Sequence, residues 1–311
     1  MSGATGRFSE PVMWRAMRQV ARQLDVPAQD ATLLRLTNNA VFALPTAGLV
    51  IRITRSLALA DRVHKVARLG AWFEQVGAPT IRLAHRIDQP VPVGGLLATV
   101  WRYVPPMLPA PAGPDLGRVL RAFHALPPPP FPVPSWDPVA DARIRLADAE
   151  ALGDRERAFL LGWCDRLEAR LARLRDRGEW RLIHGDAHVG NLLRESETRV
   201  VLCDFDSTCR GPWPVDLAAV AVGEIRFGRA NAHNALAAAY GYDVTRDPDW
   251  PLLREVRELK LVVSAVPLLA STPGVAAEFR IRLTSIMDGD ENVRWTPYAD
   301  LTRPSGGDRR P

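Results

Sequence analysis

The sequence predicts an α+β protein in which short strands come first and helices follow. Strand-like apolar runs occupy residues 32–54 and 96–104, whereas segments with apolar side chains at helical spacing dominate from residue 115 onward. A second strand-rich stretch, residues 181–206, interrupts the helices. At 311 residues, the chain is long enough for two lobes with a sizeable core.

Composition places the chain among ordinary globular proteins. It is 47% hydrophobic and 24% charged, and no apolar run approaches the roughly 18 residues of a membrane span. Residues 1–11 contain no apolar segment of the signal-peptide type, so we predict a cytoplasmic protein. The net charge of +5 comes almost wholly from arginine, because Lys65 and Lys260 are the only lysines. Without a basic run, this excess favours a coding bias over nucleic-acid binding.

The N-terminal region is expected to combine a helix with an antiparallel sheet. Residues 11–24 carry an apolar stripe at helical spacing, and three strand-like runs follow within residues 32–54. The turn at Thr37-Asn38-Asn39 separates the first two runs, since Asn tolerates positive φ. The next helix is predicted from an N-cap at Ser56 to a glycine stop at Gly77. Two further strand-like runs complete the region: Thr80–Ala84 and Leu96–Val104.

Helices are expected over most of the remaining chain. A proline-dense connection, residues 105–134, contains one helix from Asp115 to Leu126. The polar segment at residues 301–311 has no core residues and is expected to be disordered. The other predicted helical segments are Asp141–Ala151, Glu156–Asp176, Val215–Tyr240, Pro251–Leu269 and Val275–Met287.

The most informative stretch begins at Arg181 and reads RLIHGDAHVGNLLRESETRVVLCDFD. A short apolar run leads into the triplet HGD at 184–186, and Asn191 follows five residues after the aspartate. Two strand-like runs joined by a polar turn then end in DFD at 204–206, so that Asp204 can fold back beside Asn191. Carboxylate and amide oxygens are hard ligands that suit Mg²⁺. Phosphoryl transfer needs such groups to orient a hydroxyl and to hold metal on the phosphates.

This arrangement resembles the aminoglycoside phosphotransferase and choline kinase family, a branch of the protein-kinase-like fold. The family pattern H-G-D-x-x-x-x-N followed by a hairpin and D is met here, and its later G-P and D-L elements appear at 211–212 and 216–217. The resemblance covers residues 33–217 and implies a bilobal, kinase-like α+β fold. Residues 1–104 would form a small antiparallel-sheet N-lobe, and residues 105–300 a larger, mostly helical C-lobe.

The resemblance implies ATP-dependent transfer of the γ-phosphate to a hydroxyl of a small molecule, with Mg²⁺ as cofactor and GTP left open as an alternative donor. Asp186 would orient the acceptor hydroxyl and accept its proton, while His184 belongs to the catalytic loop and braces it. Asn191 and Asp204 would bind Mg²⁺, and Asp206 would add a contact to the metal or to its ligands. The acceptor could be of the antibiotic, sugar or amino-alcohol type.

For the nucleotide, the resemblance places Arg52 where kinases use a strand lysine on the α- and β-phosphates. Kinases hold that lysine with a helix glutamate, but the matching residue here is the apolar Val66. Arg52 could then pair with Asp61, with Glu74 or with the phosphate alone. The alternative to a phosphate-binding role is that Arg52 is simply an exposed arginine on a strand. The other predicted nucleotide contacts are Asn38, Asn39, Trp101, Arg102 and Tyr103.

The missing helix glutamate leaves open a second function, a catalytically weak nucleotide-binding regulatory protein of the same fold. A kinase acting on protein hydroxyls ranks below both, because no activation segment is recognisable. Acidic and basic residues nearly balance from residue 212 onward, whereas polycationic aminoglycosides call for an acidic cleft. We therefore predict a neutral or weakly charged acceptor, with apolar faces offered by Trp250, Trp295 and Tyr298 unless these simply pack in the core. No nucleic-acid or membrane partner is expected, and the oligomeric state is left open.

Overall fold

A computed structural model describes residues 8–36, 39–177 and 179–301. The predicted nucleotide residue Asn38 and the predicted tail beyond Leu301 lie outside the described residues, so both stay predictions. Within the described part of the chain, no helix has both the length and the apolar character needed to cross a bilayer.

The chain divides into two compact units. The first runs up to Asp115 and also includes Arg121–Val133 and Val189–Thr208, so the segment that carries Asp204 groups with the N-terminal strands. The second includes Leu116–Leu120, Pro134–His188 and the chain from Cys209 onward. The predicted lobe boundary after residue 104 stays a prediction.

A five-stranded antiparallel sheet forms the centre of the first unit, which confirms the small N-terminal sheet. The strand order is β1-β2-β3-β5-β4. In the third strand, Ile51 and Ile53 are fully buried while Arg52 points to the opposite face, as the period of two requires. The strands are β1 (Thr32–Leu36), β2 (Asn39–Leu44), β3 (Leu49–Thr54), β4 (Val91–Val93) and β5 (Leu96–Arg102).

Two helices of the first unit match the predicted positions. Helix α1 (Glu10–Gln23) packs its apolar stripe on the sheet, and its buried methionine and valine side chains join the sheet's hydrophobic core. Ser56 accepts a hydrogen bond from a backbone N–H and caps a 3₁₀ turn at Leu57–Leu59, which leads into α2 (Ala60–Gln75). Gly77, at φ +65°, ends this segment in the left-handed conformation that glycine adopts without strain.

The predicted strand at Thr80–Ala84 is wrong. This segment makes only isolated bridges, because its backbone divides its pairing between two partners: Thr80 bridges Leu202, and Leu83 bridges Trp101 on β5. The sequence did not predict strand β4, because its central residue is Pro92 and proline is rare inside strands. Proline is tolerated there because β4 lies at the sheet edge.

The predicted hairpin after the HGD loop is confirmed. The remaining strands are β6 (Trp180–Ile183), β7 (Leu192–Arg194), β8 (Val200–Leu202) and β9 (Cys209–Pro212), in the pairs β6–β9 and β7–β8.

The second unit is mostly helical, which confirms the expected helical C-terminal region. Residues 215–240 form two helices, because Gly228 ends the first in the left-handed conformation at φ +65°. The helix predicted to reach Leu269 ends at Val263 and is followed by a short 3₁₀ turn. Helix α3 (Gly113–His124) contributes residues to both units. The helices of the second unit are α4 (Pro138–Ala147), α5 (Asp154–Arg177), α6 (Pro214–Phe227), α7 (Ala232–Tyr240), α8 (Trp250–Val263), α9 (Pro273–Met287) and α10 (Tyr298–Leu301).

Candidate active site

The HGD loop leaves the end of β6 and is held by Asp216 in the first turn of α6. The backbone N–H of His184 donates to Asp216 Oδ2 at 2.7 Å, and the N–H of Gly185 donates to Oδ1 at 2.8 Å. Asp216 is 1% exposed, so these charge-assisted bonds lie in a low-dielectric interior where they are strong. Gly185 has φ +78°, which requires a residue without a Cβ to avoid strain.

His184 is fully buried and braces the same loop from inside. Its ring Nδ1 accepts a hydrogen bond from the backbone N–H of Asp186 at 3.3 Å. The side chain of Asp186 itself is 39% exposed. This geometry agrees with the bracing role that the sequence predicts for the histidine.

Two cations on α8 flank the carboxylate of Asp186. Arg257 Nη1 lies 3.2 Å from Asp186 Oδ1, and Lys260 Nζ lies 3.1 Å from the same oxygen. Lys260 also donates to the carbonyl of Gly185 at 2.7 Å. Sequence reasoning missed both residues. Their three-residue spacing, which places two side chains on one face of a helix, was the available signal.

The protonation of Asp186 is set by burial and by these two cations. Burial by itself would raise the pKa of this carboxyl group, but Lys260 and Arg257 outweigh it and hold the pKa well below its ordinary value. For the neighbouring His188, burial lowers the pKa despite the nearby Asp186 carboxylate. Asp186 is therefore ionised at neutral pH.

We expect the stability difference between wild type and Asp186→Asn to shrink as the pH falls. A carboxyl group with a lowered folded-state pKa contributes stability that is fully present above about pH 5 and declines below about pH 4, where the unfolded chain takes up the proton. Urea unfolding of both proteins at pH 7, 5 and 3.5 measures this difference. Asp148→Asn, at an exposed position without a side-chain ion pair in the described residues, is the matched control. A difference that stays constant with pH would contradict the prediction.

In the first unit, Arg52 forms ion pairs with the two aspartates that follow β8. Its Nη2 atom lies 2.5 Å from Asp206 Oδ2 and 3.2 Å from Asp204 Oδ1. Asn39 donates to the same Asp206 oxygen at 3.2 Å. Burial would raise the pKa of Asp206, but Arg52 outweighs this effect and lowers it. The structure thus brings four sequence-predicted residues together.

The partner proposed for Arg52 on the following helix needs correction. Glu74 pairs with Arg102 at 2.8 Å, and Asp61 makes no ion pair with Arg52 within the described residues. The guanidinium is neutralised instead by Asp204 and Asp206, which the chain supplies about 150 residues later.

Helix α2 contributes a lysine next to the position at which kinases carry a glutamate. Val66, at the expected position, is 1% exposed and belongs to the core. The preceding Lys65 donates to the backbone carbonyls of Asp206 at 2.7 Å and Thr208 at 2.8 Å. The helix therefore holds the aspartate-bearing loop through its backbone, a contact that sequence reasoning missed.

Asp204 and Asn191 are set by the geometry of the β7–β8 hairpin. Asp204 has φ +68°, a left-handed conformation that is rare for residues other than glycine and is often found at functional sites. The N–H of Cys203 donates to the carbonyl of Asn191 at 2.9 Å, so the hairpin returns to Asn191 as predicted. Burial, together with the adjacent carboxylate of Asp204, raises the pKa of the Cys203 thiol to about 12, which keeps it protonated.

The predicted adenine contacts lie at the end of β5. The N–H of Arg102 donates to Arg82 O at 2.9 Å, and the N–H of Tyr103 donates to Gly48 O at 2.8 Å. These two donors are therefore used within the first unit. Trp101 is 3% exposed and packs against Phe205. Adenine binding by these three residues stays a prediction.

Two of the aromatic residues predicted to face the acceptor pack inside the second unit instead. Trp295 is 3% exposed, donates to Ser285 Oγ at 3.1 Å and is stacked by the guanidinium of Arg226. The ring of Tyr298 is covered by Arg282 at 3.6 Å. The alternative of ordinary packing is confirmed for both, whereas a role for the half-buried Trp250 stays a prediction.

A five-stranded antiparallel lobe, a helical region and an HGD loop held by a buried aspartate define a kinase-like phosphotransferase. The chain belongs to the phosphotransferase enzyme family, whose model matches residues 15–256. No curated protein is matched by sequence.

Solved structures with the same fold are similar to this chain at low sequence identity. The amicoumacin kinase hAmiN, in complex with AMP-PNP, Ca²⁺ and Ami, is 14% identical, with a TM-score of 0.65 over 93% of this chain and 99% of its own. A choline/ethanolamine kinase family protein from Mesorhizobium loti is 18% identical, with a TM-score of 0.64 over 90% and 96%. APH(2")-IIia, in complex with GDP and kanamycin, is 18% identical, with a TM-score of 0.56 over 88% and 96%.

Proposed function

We propose that this protein is a Mg²⁺-dependent O-phosphotransferase that transfers the γ-phosphate of ATP to a hydroxyl group of a small molecule. The observation that carries the proposal is the complete HGD, Asn and Asp set in a chain that belongs to the phosphotransferase enzyme family. Complexes of similar proteins with AMP-PNP, GDP, Ami and kanamycin support a nucleotide donor and a small acceptor of the antibiotic, sugar or amino-alcohol type. ATP is the proposed donor, with GTP as the alternative.

Asp186 orients the acceptor hydroxyl and accepts its proton. A carboxylate with a pKa below its ordinary value is a weak base. Phosphoryl transfer passes through a loose transition state, in which the position of the nucleophile matters more than the basicity of the group beside it. The ionised, well-braced Asp186 therefore suits an orienting role, and His184 maintains the loop.

Asn191 and Asp204 would hold the metal ion, with Asp206 as an additional contact. Carboxylate and amide oxygens are hard ligands that suit Mg²⁺, which proteins commonly bind through one or two carboxylates together with substrate phosphates and water. When bound, Mg²⁺ would supply positive charge that offsets the negative charge of the phosphates during transfer.

Arg52 would bind the α- and β-phosphates. It lines one pocket of the first unit together with Arg62, Asn39 and Asp206. A planar guanidinium can contact Asp206 on one side and still present other N–H donors to a phosphate. Trp101, Arg102 and Tyr103 remain the proposed adenine-side residues.

The second candidate is a nucleotide-binding regulatory protein with weak catalysis. The observation that favours it is the replacement of the helix glutamate by the buried Val66. Against it, Asp204 and Asp206 supply Arg52 with carboxylate partners from another part of the chain. The cytoplasmic location stays a prediction.

We expect Mg·ATP to stabilise the protein and to be consumed in the presence of an acceptor. A ligand at 100 times its Kd adds about 2.7 kcal/mol to the free energy of unfolding, equivalent to a rise of about 5 °C in Tm for a chain of this size. Differential scanning fluorimetry and ADP release with an acceptor panel measure the two effects, and ATP with EDTA is the control. Stabilisation without ADP release would favour the regulatory candidate. If no Mg·nucleotide changed the Tm, both candidate functions would be excluded.

A further inference from the structure

We infer that the acceptor carries an acidic group, a carboxylate or a phosphate, and that Arg257 and Lys260 on α8 bind it beside the hydroxyl held by Asp186. The inference rests on the proposed function and names the substrate class of the same site. It differs from the expectation of a neutral or weakly charged acceptor that the sequence alone supports.

The first observation is an excess of positive charge around a single carboxylate. Both cations lie within 3.2 Å of one oxygen, Oδ1 of Asp186. Within the described residues, neither Arg257 nor Lys260 forms an ion pair with any other acidic side chain. Burial is the main cause that lowers the pKa of the adjacent His188, and the positive charges of Arg257 and Arg229 lower it further. One of the two cations suffices to neutralise Asp186, so the second lacks a counter-charge.

The second observation is the unused donor capacity of Arg257. A guanidinium has five N–H donors in a planar fork, and Arg257 makes one hydrogen bond in the described part of the chain. Its Nε is buried and has no partner among the described residues. Leaving a buried donor unpaired is unfavourable, and a bidentate oxyanion satisfies such a fork. The side chain of Lys260 is 38% exposed, so its ammonium group can reach the same anion.

The same charges disfavour a polycationic acceptor. An ammonium group brought near Asp186 meets two cations already in place, and like charges at close range repel. The shared chemistry is an oxyanion, which could come from the acceptor or from the transferred phosphoryl group. Pairs of acceptors that differ in one acidic group separate these two sources.

The test compares acceptors that differ in one acidic group: gluconate with glucose, glycerate with glycerol, and glycerol 3-phosphate with glycerol. Kanamycin is the polycation. ADP release and product mass give kcat and KM for each. We expect the acidic member of each productive pair to have the higher kcat/KM and kanamycin to be the poorest acceptor. Equal or better transfer to neutral acceptors or to kanamycin would overturn the inference and leave the proposed function standing.

Arg257→Gln and Lys260→Gln test the residues, and Arg280→Gln, an exposed position on α9, removes the same charge as a control. Loss of one charge-assisted hydrogen bond should raise the KM of the acidic acceptor about 10- to 100-fold more than it raises the KM of the neutral member. Arg257→Lys should be intermediate, because it keeps the charge without the fork. An equal fall in kcat for every acceptor would assign the cations to Asp186 or to the phosphoryl group and overturn the inference.

A binding measurement decides the question even if no acceptor in the panel turns over. With saturating Mg·ADP present, malonate should raise the Tm of wild type and of Arg280→Gln, but not of Arg257→Gln or Lys260→Gln. The effect should weaken as NaCl increases, since salt screens charge pairs. A malonate response that is absent in wild type, or that is the same in all four proteins, would overturn the inference.

Discussion

Asp186→Asn and Asp204→Asn should each reduce kcat by at least about 10²–10³, the loss typical of removing one electrostatic stabiliser of a transition state. Asp186→Asn removes the charge that we propose orients the hydroxyl, and Asp204→Asn removes a proposed metal ligand. Asparagine is the appropriate replacement at position 204, because φ is +68° there and asparagine tolerates the left-handed conformation better than alanine does. Asp148→Asn is the control, and circular dichroism checks that each variant is folded.

The two replacements should be non-additive, because both residues serve one transition state. The kcat of the double variant should be about that of the less active single variant, rather than being reduced by the product of the two losses. Near-normal turnover in either single variant would show that the assigned role is wrong. Fully multiplicative losses would show that the two aspartates act in separate steps.

Arg52→Met should abolish most of the stabilisation by Mg·ATP and should also destabilise the free protein. Asp204 and Asp206 would each lose a charge-assisted hydrogen bond from Arg52. The free energy of unfolding should therefore fall by about 1.5–3 kcal/mol. Because Arg52 lowers the pKa of Asp206, the stability difference should be fully present at neutral pH and should shrink as the pH falls below about 4. Urea unfolding and the Mg·ATP-dependent shift in Tm measure both effects.

Arg55→Met is the matched control for Arg52, since it is an exposed arginine just after the same strand. It should keep both the stability and the nucleotide response. If Arg52→Met retained the full Mg·ATP shift, phosphate binding by this residue would be excluded, and its role would be limited to neutralising Asp204 and Asp206.

Local patterns in the sequence were sufficient for several features. The order of glycine and acidic residues in the HGD loop predicted a kinase-like phosphotransferase, and the period of two placed Arg52 opposite Ile51 and Ile53. The D-L element of the family pattern marked Asp216, which accepts the backbone N–H bonds of the HGD loop. These features depend on residues close in sequence or on a motif whose spacing is itself the signal. They can therefore be predicted without a three-dimensional arrangement.

The electrostatic partners of the site were decided by tertiary structure alone. Asp204 and Asp206 reach Arg52 across sequence separations of 152 and 154 residues, and Arg257 and Lys260 reach Asp186 across 71 and 74. Coulomb interactions depend on distance in space, and no local period encodes which distant charge will arrive. The sequence thus determined that this chain carries the motif of a phosphotransferase family on an α+β fold. Only folding decided which cations surround them, and with that the charge of the acceptor we infer.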